Sequence, residues 1–226
     1  MLPKNVNRGV TSQNYSLPAP VGGLNVRDSL DAMAESEAIV MDNYLPLDNK
    51  VVLRKGYQKY VSLQNEVNTL IPYSSPNKNR LLAFSGGDVY DITSAANIIK
   101  YEKQFASGAW QYCQFKNRLF MVNGTDTPQT YYFNENTPVF ENLNMSGTNL
   151  NMAKLVNVCV SKQRLFFVEK GSLNAWYTSQ VGEIQGELVK FDLSAVFRDG
   201  GELMSIACWT QDGGQGIDDL TVFITS

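Results

Sequence analysis

Apolar positions along this chain come in runs of four to six residues, separated by short clusters of Gly, Asn, Ser and Asp. Three of these runs read as copies of one another. They are Asn79-Arg80-Leu81-Leu82-Ala83-Phe84, Asn117-Arg118-Leu119-Phe120-Met121-Val122 and Gln163-Arg164-Leu165-Phe166-Phe167-Val168. Each is an amide, then Arg-Leu, then a nearly continuous apolar stretch. A glycine turn follows each run, at Gly86-Gly87, Gly124 and Gly171. After the turn comes an aromatic segment: Asp88-Val89-Tyr90-Asp91, Thr130-Tyr131-Tyr132-Phe133 or Asn174-Ala175-Trp176-Tyr177. Short apolar runs rich in β-branched and aromatic residues and bounded by turn formers predict strands.

The three arginines stand 38 and then 46 residues apart. Blades of a β-propeller repeat at about 40–50 residues, with four strands each. The pattern therefore predicts a mainly β fold of antiparallel, propeller-like blades: three, and part of a fourth. The fourth unit begins at Ser205-Ile206-Ala207-Cys208-Trp209 and reaches Asp219-Leu220-Thr221-Val222-Phe223-Ile224. The recurring arginines read as architecture, capping a turn or pairing with a carboxylate of the neighbouring blade. Leu81, Leu119 and Leu165 are expected at equivalent buried positions. Cys113 and Cys159 lie five residues before their arginines, and Cys208 reads as the matching residue of the fourth unit. All three are expected to be small buried hydrophobes.

Residues 1–64 do not follow the repeat, which assigns 65–226 to the incomplete propeller-like domain. Residues 1–24 are rich in Asn, Ser, Pro and Gly and read as an extended arm. Ala34, Ala38 and Met41 fall on one face, and Tyr44-Leu45-Pro46 would stop a helix, so one short helix is expected over about 34–44. Val51–Tyr57 reads as a strand leading into the repeats.

The chemistry available is narrow. There are 226 residues, a net charge of −3 and no histidine. A chain without histidine lacks the commonest general base and metal ligand, and cannot build a Ser-His or Cys-His nucleophile. Three cysteines without C-x-x-C spacing indicate neither a disulfide framework nor zinc. The acidic stretch Gly214–Asp219 lacks the alternating ligands and final Glu of a calcium loop and reads as a hairpin turn. Asn123-Gly124-Thr125 and Asn144-Met145-Ser146 match the glycosylation sequon by chance. No catalytic, cofactor or metal site is expected. No basic patch marks a nucleic-acid binder. The apolar runs are too short to span a membrane as a helix, and residues 1–8 lack the apolar core of a signal peptide.

The segment Pro20-Val21-Gly22-Gly23-Leu24-Asn25-Val26-Arg27-Asp28 resembles an N-terminal signature of structural proteins of short-tailed bacteriophages. Glu35-Ser36-Glu37-Ala38-Ile39-Val40-Met41-Asp42-Asn43-Tyr44 and Leu53-Arg54-Lys55-Gly56-Tyr57 continue the match. In organisation the chain is similar to tail nozzle and packaged-DNA stabilisation (tail hub) proteins. The resemblance covers about residues 20–57, and the repeats follow it as in that family. It implies a non-enzymatic subunit of a hexameric ring below the portal and adaptor, in the virion tail, made in the host cytoplasm. That ring would retain packaged DNA and conduct it on ejection, touching it only transiently and without sequence preference. A mild negative charge suits such a conduit, because attraction to phosphate would slow the genome. Gly22, Gly23, Leu24, Asn25 and Arg27 would belong to the assembly arm, with order supplied by neighbouring chains. The family's propellers are longer and closed, so this chain is expected to be a fragment or to be continued by another polypeptide. Its last strand would then need a partner to cover its edge.

A second reading comes from another class. Trp110, Trp176, Tyr177 and Trp209 could stack on sugar rings in a carbohydrate-binding or glycan-cleaving propeller. Cleavage would require two carboxylates about 5–9.5 Å apart, and no repeated pair presents itself.

Overall fold

The computed structural model describes residues 13–197, 200–212 and 217–226. The chain divides into two compact units, one ending at Lys59 and the other running from Tyr60 to Ser226. Antiparallel β-sheets dominate, and the expected α-helix over 34–44 is absent. The one helical turn among the described residues is a 3₁₀ turn, Met152–Lys154, capped by the Asn151 side chain.

In the first unit, β1 (Gly23–Leu24) pairs in parallel with β2 (Glu37–Ala38). A hairpin follows, β3 (Tyr44–Leu47) with β4 (Lys50–Leu53). Long-range pairing overrides the weak helical period here. Glu37 and Ala38 are drawn into the bridge with Gly23-Leu24, the β-branched pair Ile39-Val40 disfavours helix, and Asn43 sits at φ +63°. Pro46 is tolerated because its strand belongs to a two-stranded ribbon.

The second unit is built from successive meanders. Sheet I orders β5 (Val67–Ser75), β6 (Lys78–Ser85), β7 (Asp88–Ser94) and β8 (Asn97–Gln104) side by side. Sheet II does the same with β9 (Gln111–Phe115), β10 (Arg118–Val122), β11 (Gln129–Asn134) and β12 (Thr137–Asn142). The link to sheet III contains β13 (Met145–Gly147). Sheet III itself comprises β14 (Leu155–Ser161), β15 (Arg164–Glu169), β16 (Asn174–Thr178) and β17 (Gly186–Asp192), and β13 adds to β17 in parallel as a fifth strand. That addition covers an edge that would otherwise present unpaired backbone groups. Sheet IV is the hairpin β18 (Leu203–Asp212) with β19 (Ile217–Thr225). The acidic stretch read as its turn falls largely outside the described residues.

The apolar runs are continuous because sheets I to III are covered on both faces. In sheet II, Leu119 and Met121 enter a core with Ile71, Leu82 and Phe84 of sheet I. Phe120 and Val122, the alternate residues, enter a different core with Leu165 and Phe167 of sheet III. In sheet III, Phe166 and Val168 turn the other way and pack with Leu203, Ile206 and Phe223 of sheet IV. The preceding face of sheet I takes Leu81 and Ala83, which pack with Val61 and Leu63. Leucine after the arginine thus always faces the layer before, and the next residue faces the layer after. Leu119 and Leu165 are fully buried, whereas Leu81 is only half-buried because two side chains of an irregular segment cover it rather than a sheet.

Two further features recur. A register shift consistent with a bulge interrupts the first strand of sheets I, III and IV at matching points, around Asn68, Val156 and Met204. Beside it, a polar residue holds the first strand of the next sheet or the segment leading into it. Thr69 Oγ1 accepts from the Trp110 amide at 3.0 Å, and Asn157 Oδ1 accepts from the Ile206 amide at 3.1 Å. First strands of successive sheets therefore lie close together.

The aromatic segments align less simply than their sequence suggests. Tyr90 and Trp176 occupy equivalent places, opposite Ala83 and Phe167. The matching residue of sheet II is Gln129, opposite Met121, and Tyr131 lies two residues further on, opposite Leu119. The longer loop after β10 shifts the strand by one full pleat, so the same faces are kept.

Truncating the buried leucines tests this layering. Leu119→Ala and Leu165→Ala should each lower the stability of the second unit by about 2–5 kcal/mol. Leu81→Ala should cost less, about 1–2 kcal/mol, since part of its surface is already wet. Urea unfolding followed by tryptophan fluorescence measures all three; equal losses would contradict the unequal cover.

Candidate functional site

Two groups of residues singled out by sequence define the candidate sites: the arginines with their cysteines, and the Gly-Gly-Leu-Asn segment. The arginines stand at or near the start of the second strand of sheets I to III, and each binds partners within its own sheet. Arg80 Nε lies 3.0 Å from a carboxylate oxygen of Asp91, which is almost fully buried. Arg118 stacks 3.6 Å over the Tyr132 ring and reaches Glu141 at 3.7 Å. Arg164 Nη1 donates to the backbone carbonyls of Thr178 and Ser179, at 2.5 and 2.6 Å. The expected pairing with a neighbouring sheet's carboxylate is therefore corrected. The nearest approach of this kind is Arg80 over the Phe133 ring of sheet II, at 5.2 Å. The position recurs because the hairpin geometry sets a long side chain over the adjacent strand, and each sheet supplies its own acceptor.

The cysteines divide. Cys113 and Cys159 sit at equivalent places, opposite Phe120 and Phe166, and are partly buried in the cores that follow their sheets. Cys208 is exposed, against expectation. The register shifts match in sheets III and IV, but Cys208 stands five residues after Leu203 where Cys159 stands four after Leu155, so Cys208 aligns with Val160 and turns back toward sheet III. Its neighbour across the hairpin, Thr221, shares a 2.6 Å hydrogen bond with Ser161 of that sheet. Burial raises the Cys113 thiol far above its ordinary range and lifts Cys159 to about 12.

The Gly-Gly-Leu-Asn segment folds on itself. Gly22 donates to the Ser36 carbonyl at 2.7 Å, and a Cβ there would sit 2.9 Å from that oxygen. Gly23 adopts φ +90°, which glycine takes without strain. Asn25 is the hub. Its Oδ1 accepts from the amides of Arg27 and Asp28, at 3.0 and 3.1 Å. Its Nδ2 donates to Asp28 at 2.9 Å and to Glu37 at 2.7 Å. Glu37 also accepts from the Ala34 amide at 3.2 Å. Arg27 pairs with Asp28 at 2.9 Å and projects into solvent, and with Asn25 it holds the Asp28 carboxyl below the usual range. Leu24 is exposed. Residues 20–38 therefore carry an order of their own, which narrows the expectation that Gly22 to Arg27 take their order from neighbouring chains. Residues 1–12 lie outside the described residues.

Of the aromatics considered as sugar platforms, Trp110 and Trp176 are only 3 % and 2 % exposed, and Tyr177 stacks on Phe166. Trp209 alone is open, at 66 %. Among the described residues no cluster of three or more His, Cys, Asp or Glu could hold a metal ion, and no helix is long and apolar enough to cross a membrane.

No family model matches the chain, and no curated protein does. Two solved structures are similar in shape. The computationally designed Ika4 protein is 12 % identical, with 74 % of this chain and 99 % of that one covered and a TM-score of 0.41. The major allergen Mala s 1 of Malassezia sympodialis is 9 % identical, with 64 % of this chain and 46 % of that one covered and a TM-score of 0.39. Neither likeness identifies a family.

Two measurements probe these sites. A neutral-pH thiol reagent should label Cys208 rapidly in the native protein, with Cys113 and Cys159 following only on unfolding. Arg80→Ala strands a buried carboxylate and should lower stability by about 2–3 kcal/mol, under the range for a fully buried pair because the arginine is partly wet. Arg118→Ala removes a ring contact and a solvated ion pair and should cost about 1 kcal/mol. Comparable losses at the two sites in chemical denaturation would contradict this ranking.

Proposed function

We propose that this chain is a virion structural protein, a propeller-like scaffold in the tail nozzle or hub of a short-tailed phage. In this reading copies associate in a ring, join portal and adaptor proteins, retain packaged DNA and conduct it on ejection. The meander sheets act as blades: each packs face to face on the next, and their first strands lie close together, as they must around a central axis.

The observation that carries the assembly role is the surface of the first unit. Val26 is 81 % exposed and Tyr57 97 %, and Leu17, Leu30, Val40 and Leu53 are also largely open. Leu17, Leu30, Met33, Ile39 and Val40 line an apolar groove of about 690 Å³. Contiguous apolar surface of this kind marks an interaction site. A segment from a neighbouring subunit would fill the groove, and the Asn25–Glu37 knot would hold its walls in place without a larger core.

The test is assembly. Full-length protein should sediment as a ring-sized oligomer and show closed rings by negative-stain electron microscopy. Deleting residues 1–24 removes β1 and one wall of the groove, and should leave the second unit's thermal transition intact while abolishing rings. An antibody to the chain should label the tail vertex of particles. Rings that persist in the truncated protein, or an unlabelled tail, would overturn the reading.

A further inference from the structure

The turns at one end of sheets I and II enclose a cavity of about 390 Å³, within the size range of small-molecule sites. Three turns distant in sequence supply its walls. Asn77 and Lys78 come from the β5–β6 turn, Lys116 to Arg118 from the β9–β10 turn, and Tyr132 to Glu135 from the β11–β12 turn. The lining carries Lys78, Lys116 and Arg118 against Glu135, so it is cationic in a chain whose net charge is −3.

Part of this lining is already used by the fold. Lys116 Nζ donates to the Gly182 carbonyl at 2.6 Å, and the Tyr73 hydroxyl donates to the Asn117 carbonyl at 2.9 Å. Arg118 lies flat on Tyr132 and pairs with Glu141 at 3.7 Å, so the uncommitted positive charge is chiefly that of Lys78. The rest is unspent. Among the described residues the side chains of Asn77, Asn117, Asn134 and Glu135 make no hydrogen bond, and Lys78 has no carboxylate partner. Lys78 instead sits 6.0 Å from the centre of the Phe133 ring, at the cavity wall. Amide donors and acceptors, a single carboxylate and excess positive charge thus converge on one small space.

We propose that this cavity binds a carboxylate-bearing sugar, one or two pyranose units long. Lys78 would pair with the sugar carboxylate, supported by the field of Arg118 and Lys116. Asn77, Asn117 and Asn134 would exchange hydrogen bonds with ring hydroxyls, and Glu135 would accept from one of them. An Asn side chain both donates to and accepts from hydroxyls, and an ionised Glu only accepts. A nucleic-acid strand fits less well. Base stacking needs a free aromatic face, but Arg118 covers Tyr132, and Lys78 and Arg80 flank Phe133. The proposal goes beyond the structural role above and stands or falls apart from it.

The test is a titration of the full chain, followed by calorimetry and by the side-chain amide signals of isotope-labelled protein. D-glucuronate, D-glucose and inorganic phosphate are the three probes. Glucuronate should shift the Asn77, Asn117 and Asn134 amides and bind at least about tenfold more tightly than glucose or phosphate, a gap of about 1.4 kcal/mol. Lys78→Met should weaken glucuronate about tenfold while leaving the melting transition in place. If that variant melts early, Asn134→Ala at the exposed turn gives the same reading, with a weaker but measurable loss. Equal binding of phosphate would reduce the cavity to a simple anion site. Amide signals unmoved by glucuronate, or variants that bind as the parent does, would overturn the proposal.

Discussion

Burial on both faces of the sheets is the constraint on which the second unit depends. A strand buried on one face needs apolar residues at alternate positions only; the second strands of sheets I to III need them at every position. Arg-Leu-Phe-Met-Val and Arg-Leu-Phe-Phe-Val satisfy that demand with two interleaved sets, one for the layer before and one for the layer after. The arginine ends the apolar run at the hairpin, where a long side chain can reach water while its stem and charge are held by the strand beside it. Sheet II cannot be moved without opening two cores at once. Cooperativity within the unit follows from that sharing.

Polar groups set the spacing of the layers rather than their stability. Thr69 and Asn157 each hold the next first strand through a backbone amide, and Ser161 meets Thr221 across the last interface. Gly124 does similar work at the longer loop. Its amide donates to the Leu155 carbonyl of sheet III at 2.8 Å, and at φ +70° any Cβ would lie 2.5 Å from a methyl group of Val156. Such bonds contribute only about 1 kcal/mol each, but they are directional, and apolar packing is not. The first unit works differently. Among the described residues it shows no comparable core and relies on local hydrogen bonds around Asn25 and Glu37, which leaves its apolar side chains free for other surfaces.

The legible part of the fold was the part fixed by two-faced burial. The Arg-Leu runs, their hairpins and their common facing follow from composition and spacing within one strand pair. Errors arose where chain length between elements varied. The loop between β10 and β11 displaced Tyr131 by one pleat, and one more residue between Leu203 and Cys208 than between Leu155 and Cys159 put Cys208 on an exposed position. The helix expected over 34–44 failed for another reason: its periodic residues are few, and a parallel bridge from residues far back in the chain captured Glu37 and Ala38. The cavity at the turns had no signal of its own. Lys78, Arg118 and Asn134 belong to three separate turns, and only the stacking of sheets I and II brings them together.

The alternation of faces can be measured by double-mutant cycles. Phe120 and Leu165 lie on different sheets but share one core, whereas Phe120 and Leu119 are adjacent in sequence and enter different cores. Alanine at Phe120 and Leu165 should therefore couple, by about 0.5–3 kcal/mol, while alanine at Phe120 and Leu119 should add to within about 0.5 kcal/mol. Coupling confined to the adjacent pair, with Phe120 and Leu165 independent, would contradict the layered account.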